Sequence, residues 1–273
     1  MTATGTNTWL VADQSAVAVI DPGPALPGHL QAILAALEPG ERISEILVTH
    51  AHLDHSALAP ALSAATGAPV SAFGPAGSGR SALMARLEAQ GLTGGGEGVD
   101  AAFRPDILLP DGAEVAVGRL RITALHTPGH MANHLCFAVG DVLFSGDHAM
   151  GWASSLVSPP EGDMGAYMAA LDRLAARPWR QMLPGHGPAV DDPAARLAEL
   201  IAHRSAREAQ VLAALADGPA DAAALTARIY HDTPVALLGA ARRNVLAHLV
   251  DLTERNLITP EGPLTAESLF RPA

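Results

Sequence analysis

Thr49-His50-Ala51-His52-Leu53-Asp54-His55 sets four strong metal-ligating side chains into six residues, directly after the apolar, strand-like run at residues 43–48. In an extended chain the side chains at i, i+2 and i+4 point the same way, so His50, His52 and Asp54 are expected to converge while His55 leans towards a second centre. One short loop can thereby serve two metals. Imidazole with carboxylate and without thiolate favours zinc, with manganese or iron(II) also compatible. The chain has a single cysteine, Cys136, which rules out a closed four-cysteine structural site. A lone H-x-H arises easily by chance among twelve histidines, but packed core histidines have no reason to crowd beside carboxylates in this way.

Three more ligand-type residues share one local setting, each at the end of a short apolar run and beside glycine. His130 ends Leu125-His126-Thr127-Pro128-Gly129-His130, Asp147 closes Val142-Leu143-Phe144-Ser145-Gly146-Asp147, and His186 ends Met182-Leu183-Pro184-Gly185-His186. Strand ends followed by tight turns are where a rigid sheet presents functional side chains. Glycine there fits a backbone that must turn sharply or approach the metals closely.

In order along the chain, H-x-H-x-D-H, then H, then D, then H resembles the metallo-beta-lactamase fold superfamily, with every ligand position filled over roughly residues 6–190. The resemblance implies a mixed α/β (α+β) fold, a four-layer αβ/βα sandwich with the metals at one edge between two sheets. It further implies that His50, His52 and His130 hold one zinc, that Asp54, His55 and His186 hold the other, and that Asp147 bridges them. Asp21, in Ile20-Asp21-Pro22-Gly23, matches as support behind the ligands. The chemistry so implied is hydrolysis by a metal-bridging hydroxide, with two Zn²⁺ per chain roughly 3.5 to 4 Å apart and Asp54 orienting the nucleophile or taking its proton.

His134 and His148 each neighbour an expected ligand without belonging to the set of seven. Outer hydrogen-bonding to a ligand, substrate contact and plain packing all remain open for them. His29, His126, His203, His231 and His248 lack ligand neighbours and read as surface or core residues. Beyond Asp147, Met150, Trp152 and the loop at 153–160 are expected to line the cleft, with simple packing of Trp152 as the alternative.

The 273 residues, 49% of them hydrophobic, suffice for one large domain and a small one. No run reaches eighteen consecutive apolar residues, and residues 1–8 are polar and uncharged without the features of a signal peptide, so a soluble, cytoplasmic protein without membrane contact is expected. All seventeen basic residues are arginine. Any anionic substrate group must then be met by arginine, a helix N-terminus or the metals. The formal charge of -11 opposes nonspecific attraction to polyanions.

Strands are expected at 9–11, 17–20, 43–48, 115–125, 135–139 and 142–144, with a hairpin turn at Gly140-Asp141, and helices at 30–37, 57–65 and 81–89. Residues 91–98, with Gly94-Gly95-Gly96, read as a linker without phosphate-loop spacing. From Pro193 the pattern turns helical at 193–216, 221–230 and 235–254, with a closing hairpin. The chain therefore divides into a hydrolase domain at 1–192 and a winged-helix-like domain at 193–273. This tail resembles the winged helix of one superfamily branch, which includes hydrolases of unassigned substrate and some endoribonucleases. His148 and His203-Arg204-Ser205-Ala206-Arg207-Glu208 match features of that branch. Six arginines against eight acids over residues 205–273 point to helix packing or homodimer formation rather than DNA reading.

The metal ligands define a reaction type; the substrate depends on the pocket. A small-molecule ester, thioester, lactone or lactam is the leading expectation. A single-strand-specific endoribonuclease of the same superfamily is the alternative, and a non-catalytic or redox metal protein the third reading. The insertions and appended domains of the nuclease, tRNA-processing and flavodiiron relatives have no counterpart in this sequence.

Overall fold

The computed structural model describes residues 4–93 and 98–273; Gly94-Gly95-Gly96 of the expected linker lie outside them. The first half runs β1 (Trp9–Asp13), β2 (Ala16–Ile20), α1 (Pro27–Ala35), β3 (Arg42–Leu47), α2 (Leu53–Ser56), α3 (Ala59–Thr66), β4 (Val70–Ala72), α4 (Ala82–Ala89) and β5 (Ile107–Leu108). It continues through β6 (Glu114–Val117), β7 (Leu120–His126), β8 (Leu135–Val139), β9 (Val142–Gly146), α5 (Met164–Ala175) and β10 (Gln181–Pro184). The remainder is α6 (Pro193–Ala216), α7 (Ala222–Ile229), α8 (Val235–Glu254), β11 (Ile258–Pro260) and β12 (Phe270–Pro272).

Two five-stranded sheets face each other, ordered β1-β2-β3-β4-β5 and β10-β9-β8-β7-β6. Period-two alternation decides which side chain enters which layer. In β2, Ala18 and Ile20 point between the sheets towards Ile122, Leu135, Phe137 and Phe144, while Val19 points outward to Ile33 of α1 and Leu62 of α3. In β8, Leu135 and Phe137 point inward, whereas Cys136 and Ala138 meet Tyr167, Leu171 and Leu174 of α5. The result is helix, sheet, sheet, helix, the expected four layers. Cys136 is buried, and burial pushes its thiol up to about 12, so it packs as an inert apolar group.

Two sequence expectations change. The single strand at 115–125 is a hairpin of β6 and β7, paired Glu114 to Thr123 and Val117 to Leu120. Gly118 makes the turn at φ +57°, and a Cβ there would stand 2.6 Å from the Asp13 carbonyl oxygen. The ligand motif, expected to stay extended, forms the short helix α2, and the helix expected at 57–65 follows it as α3, with Pro60 in its first turn and Gly67 ending it at φ +76°.

Among the C-terminal helices, α6 and α7 are capped by Asp192 and Asp221, whose carboxylates accept from Ala195 N at 3.0 Å and Ala224 N at 2.7 Å. With the β11–β12 hairpin they form a winged helix, in which Val245, Leu249 and Leu252 of α8 share a core with Leu225, Ile258 and Phe270. α6 joins two cores: Leu197 and Leu200 pack with Leu174 and Trp179, while Val211 and Leu215 pack in the winged-helix core. Met84 and Leu87 of α4 enter that second core as well. No helix among the described residues is long and apolar enough to cross a membrane.

Candidate metal centre

The ligand motif follows β3 at the edge where the sheets open. The chain bends at Thr49 and His50, is extended at His52, and then turns into α2, with His52 as its N-cap. The turn carries Asp54 away from the other two, against the expectation of an extended loop, because helical residues rotate about the axis instead of alternating. Two groups result. Ligand atoms of His50, His52, His130 and Asp147 lie within 4.8 Å of one another, as do those of Asp54, His55 and His186. Asp147 faces both, with Oδ2 at 3.7 Å from His130 Nε2 and 3.3 Å from His186 Nε2, and Oδ1 at 3.4 Å from His55 Nε2. The seven residues thus come together as two neighbouring groups, with Asp54 beside His55 and His186 rather than beside His50 and His52 where alternation alone would place it.

Outer hydrogen bonds set four of the rings. His55 Nδ1 lies 2.8 Å from Asp21 Oδ2, His130 Nδ1 2.7 Å from the Leu156 carbonyl, and His186 Nδ1 2.9 Å from the Gly5 carbonyl. Each acceptor calls for a proton on Nδ1, which leaves the Nε2 lone pair aimed at the centre. Thr49 does the same for His50: its hydroxyl donates to Asp21 Oδ2 at 2.8 Å and accepts from His50 Nδ1 at 2.9 Å. Asp21 also accepts from the Thr49 backbone N–H at 2.7 Å, and it holds a left-handed φ of +53°, which aspartate tolerates better than most residues. Thr49 is a functional residue that the sequence reading passed over, although it opens the quoted motif. Thr6, which donates to Asp54 Oδ2 at 3.0 Å, gives no local signal at all.

His134 stands behind the centre rather than in it. Its Nε2 accepts from the Asp147 backbone N–H at 3.2 Å, and its Nδ1 pairs with Thr127 Oγ1 at 2.9 Å, so the ring orients Asp147. His148 is fully buried between His134 and Tyr167, with ring centroids 5.8 and 4.7 Å away, and its side chain belongs to neither ligand group. Trp152 is exposed at the rim of the cavity, against Gly187. Close approach explains two of the glycines. A Cβ on Gly185 would stand 2.6 Å from Asp147 Oδ1 and 2.7 Å from His55 Cε1, and one on Gly146, at φ +49°, 2.7 Å from His134 Nε2.

So many convergent acceptors need positive charge. Burial opposes charge on His55, yet the Asp147 and Asp21 carboxylates outweigh it and hold the imidazole well above its ordinary value. Burial likewise opposes charge on His186, but Asp147 and Asp54 raise it to about 9. In the other group burial dominates: it drives His50 well below its ordinary value, helped by His55 and His52, and takes His52 down to about 3, helped by His130. Protonation therefore offsets the carboxylates only on the His55 and His186 side, whereas His50 and His52 stay neutral with lone pairs available to a metal. Asp147 Oδ1 is moreover buried without a well-formed hydrogen bond, its neighbour His55 Nε2 standing 3.4 Å away. Imidazoles with fixed tautomers beside two carboxylates fit divalent metal binding.

A family model described as the metallo-beta-lactamase superfamily matches residues 1–186, and one described as the beta-lactamase associated winged helix domain matches residues 222–263. Among curated proteins, the lactamase-like protein aptB of Emericella nidulans is 32% identical over 219 residues, covering 79% of this chain and 62% of its own. An atrochrysone carboxyl ACP thioesterase from Cryptosporiopsis is 29% identical over 217 residues, covering 78% of this chain and 59% of its own. The chain thus spans about three fifths of the length of these relatives. Among solved structures, a metallo-beta-lactamase family protein from Thermus thermophilus superposes with a TM-score of 0.76 at 26% identity, covering 98% of this chain and 94% of that one. A beta-lactamase domain protein from Burkholderia ambifaria gives 0.79 at 24% identity, covering 98% and 87%. Because the first family model takes in both sheets and every residue from Asp21 to His186 that builds the centre, the chain belongs to the metallo-beta-lactamase superfamily.

Proposed function

We propose that this chain is a dinuclear zinc hydrolase of a small acyl substrate: an ester, thioester, lactone or lactam. One observation carries the reading. Both ligand groups open onto a single cavity of about 290 Å³, in which His52, Asp54, His130, Asp147 and His186 face Met150, Trp152, Ala153 and Leu156. An apolar wall opposite a cluster of metal ligands suits a substrate with an acyl arm and a polarisable carbonyl. The thioesterase among the relatives favours the thioester within this class.

Two zinc ions bound there would supply Lewis-acid polarisation of the carbonyl and hydroxide at neutral pH. The chain's own groups do the rest. Asp54 lines the cavity with its side chain about a third exposed, and its Oδ2 is held by Thr6 Oγ1 at 3.0 Å and His186 Nε2 at 3.3 Å. Burial opposes its charge, but the His186 contact and the charge on His55 hold its carboxyl well below the usual range. It stays ionised and acts as an acceptor that orients the attacking water. Met150, Trp152 and Leu156 exclude solvent from the acyl arm. Residues 1–192 carry this chemistry, and residues 193–273 form a unit packed behind it.

The test is turnover of thioesters, lactones, a cephalosporin and single-stranded RNA by zinc-loaded wild type, Asp54→Ala and His130→Ala. Acyl turnover that disappears in both variants is the expected result. RNA cleavage lost in both variants, with every acyl substrate untouched, would replace the reading with a single-strand endoribonuclease.

A further inference from the structure

Among the described residues the largest fully buried side chain is Arg204 of α6, 1% exposed. Among the described residues it forms no ion pair with a carboxylate. Its Nη2 donates to the Ser155 carbonyl, its guanidinium carbon lies 5.4 Å over the Tyr167 ring, and its Nε has no partner. An unpaired buried cation is costly, and an apolar side chain of the same bulk would ordinarily be favoured there. What the guanidinium holds explains its presence.

Ser155 sits in an irregular segment between β9 and α5 whose inner side grips the metal centre. Its hydroxyl donates to the carbonyls of Asp147 and His148, and the next carbonyl, Leu156 O, fixes the His130 ring through Nδ1 at 2.7 Å. The outer side of the segment is held by the C-terminal helices. Besides Arg204, Arg196 of α6 donates to Met150 O at 2.7 Å and Ala153 O at 3.0 Å, and Asn244 of α8 accepts from Val157 N at 3.0 Å. Between residues 150 and 157 the backbone is thus pinned four times by side chains from beyond residue 193. The other ligand group has no such dependence, since His55 and His186 rest on Asp21 and Gly5.

We propose that α6 and α8 form the outer wall of the metal centre, with Arg204 and Asn244 as positioning residues that fix His130 through the Leu156 carbonyl. The winged-helix unit is then a structural part of the centre, and its contribution falls on the His50, His52 and His130 group. This inference rests on the proposed metal binding but makes a separate claim about it.

The experiment measures Zn²⁺ affinity by chelator competition, in backgrounds that leave one ligand group at a time, with thermal melting of the metal-free proteins as the check on folding. In His186→Ala, which leaves the His130 group, Arg204→Met and Asn244→Ala each weaken Zn²⁺ binding by about 10-fold, the scale of losing an outer hydrogen bond to a ligand. Arg204→Lys, which restores one donor, recovers part of the loss. In His130→Ala the same substitutions change affinity by less than about 2-fold. Equal losses in both backgrounds, or none in either, overturn the proposal. If Arg204→Met does not fold, Asn244→Ala decides alone. Wild type that takes up no divalent metal removes the metal reading and this inference together, whereas wild type that binds two ions unaffected by either substitution removes only the inference.

Discussion

Asp21→Asn tests the hydrogen-bond logic of the centre, because it changes charge and donor pattern without changing shape. Asparagine tolerates the left-handed φ of +53° at this position, so the backbone is not strained. The amide oxygen can still accept from the Thr49 N–H, whose distance to Asp21 Oδ1 is 2.7 Å. The amide nitrogen replaces Oδ2, which now receives the Thr49 hydroxyl and His55 Nδ1, both at 2.8 Å. Donor then faces donor at two buried contacts, each costing about 1–3 kcal/mol, or roughly 2–6 kcal/mol in all. His55 escapes its share by moving the proton to Nε2, but that nitrogen is the one aimed at Asp147 and His186. A ligand with its lone pair reversed cannot hold a metal, so the Asp54, His55 and His186 group should lose about 10- to 100-fold in affinity. The His50, His52 and His130 group is touched only through Thr49. Stepwise Zn²⁺ affinities by chelator competition, with urea unfolding of the metal-free protein, read both effects. Two ions bound with wild-type constants would refute the assignment of Asp21 as the group that sets the His55 tautomer.

Three further outcomes are expected. Gly185→Ala places a methyl group 2.6 Å from Asp147 Oδ1 and 2.7 Å from His55 Cε1, so hydrolysis should fall by about 100-fold while circular dichroism stays native; full activity would show that the centre can shift to make room. His248, on α8, is held at about 4 by burial and then by Arg204, against an ordinary value of 6.5. The unfolded chain therefore takes up the proton first as pH falls, and stability is complete above about pH 6.5 and lost by up to ~3 kcal/mol between there and pH 4. His248→Phe should flatten that part of a urea-midpoint profile, and an unchanged profile would assign the acid sensitivity elsewhere. Trp152→Ala removes an exposed part of the apolar wall, and should raise KM for long acyl substrates about 5- to 10-fold with kcat nearly unchanged, the pattern of lost uniform binding. A fall in kcat alone would place the indole at the reacting bond instead.

How far the residues announced this arrangement varied from element to element. β2 and β8 are short apolar runs whose two-residue period survives folding, because each buries both faces between a helix layer and a facing sheet. The hairpin of β6 and β7 was hidden, since Val117-Gly118-Arg119-Leu120 interrupts the apolar pattern only briefly and the turn depends on a close approach by Asp13. The helical turn at Leu53–Ser56 was hidden for another reason: four residues are too few for a periodic signal, yet they decide which metal group receives Asp54.

The chemistry of the centre belongs to the amino-acid sequence. Ligand types cannot be supplied by packing, so the crowding at 50–55 and the lone His130, Asp147 and His186 at strand ends are visible as soon as the residues are read. Their supports are not local. Thr6 meets Asp54 across 48 positions, Asp21 meets His55 across 34, and Arg204 meets Ser155 across 49. No periodicity encodes contacts at such separations. They exist only once two sheets have closed on each other and α6 has docked against the loop, and these contacts set the His55 and His130 tautomers and turn seven ligand-type residues into two ordered groups.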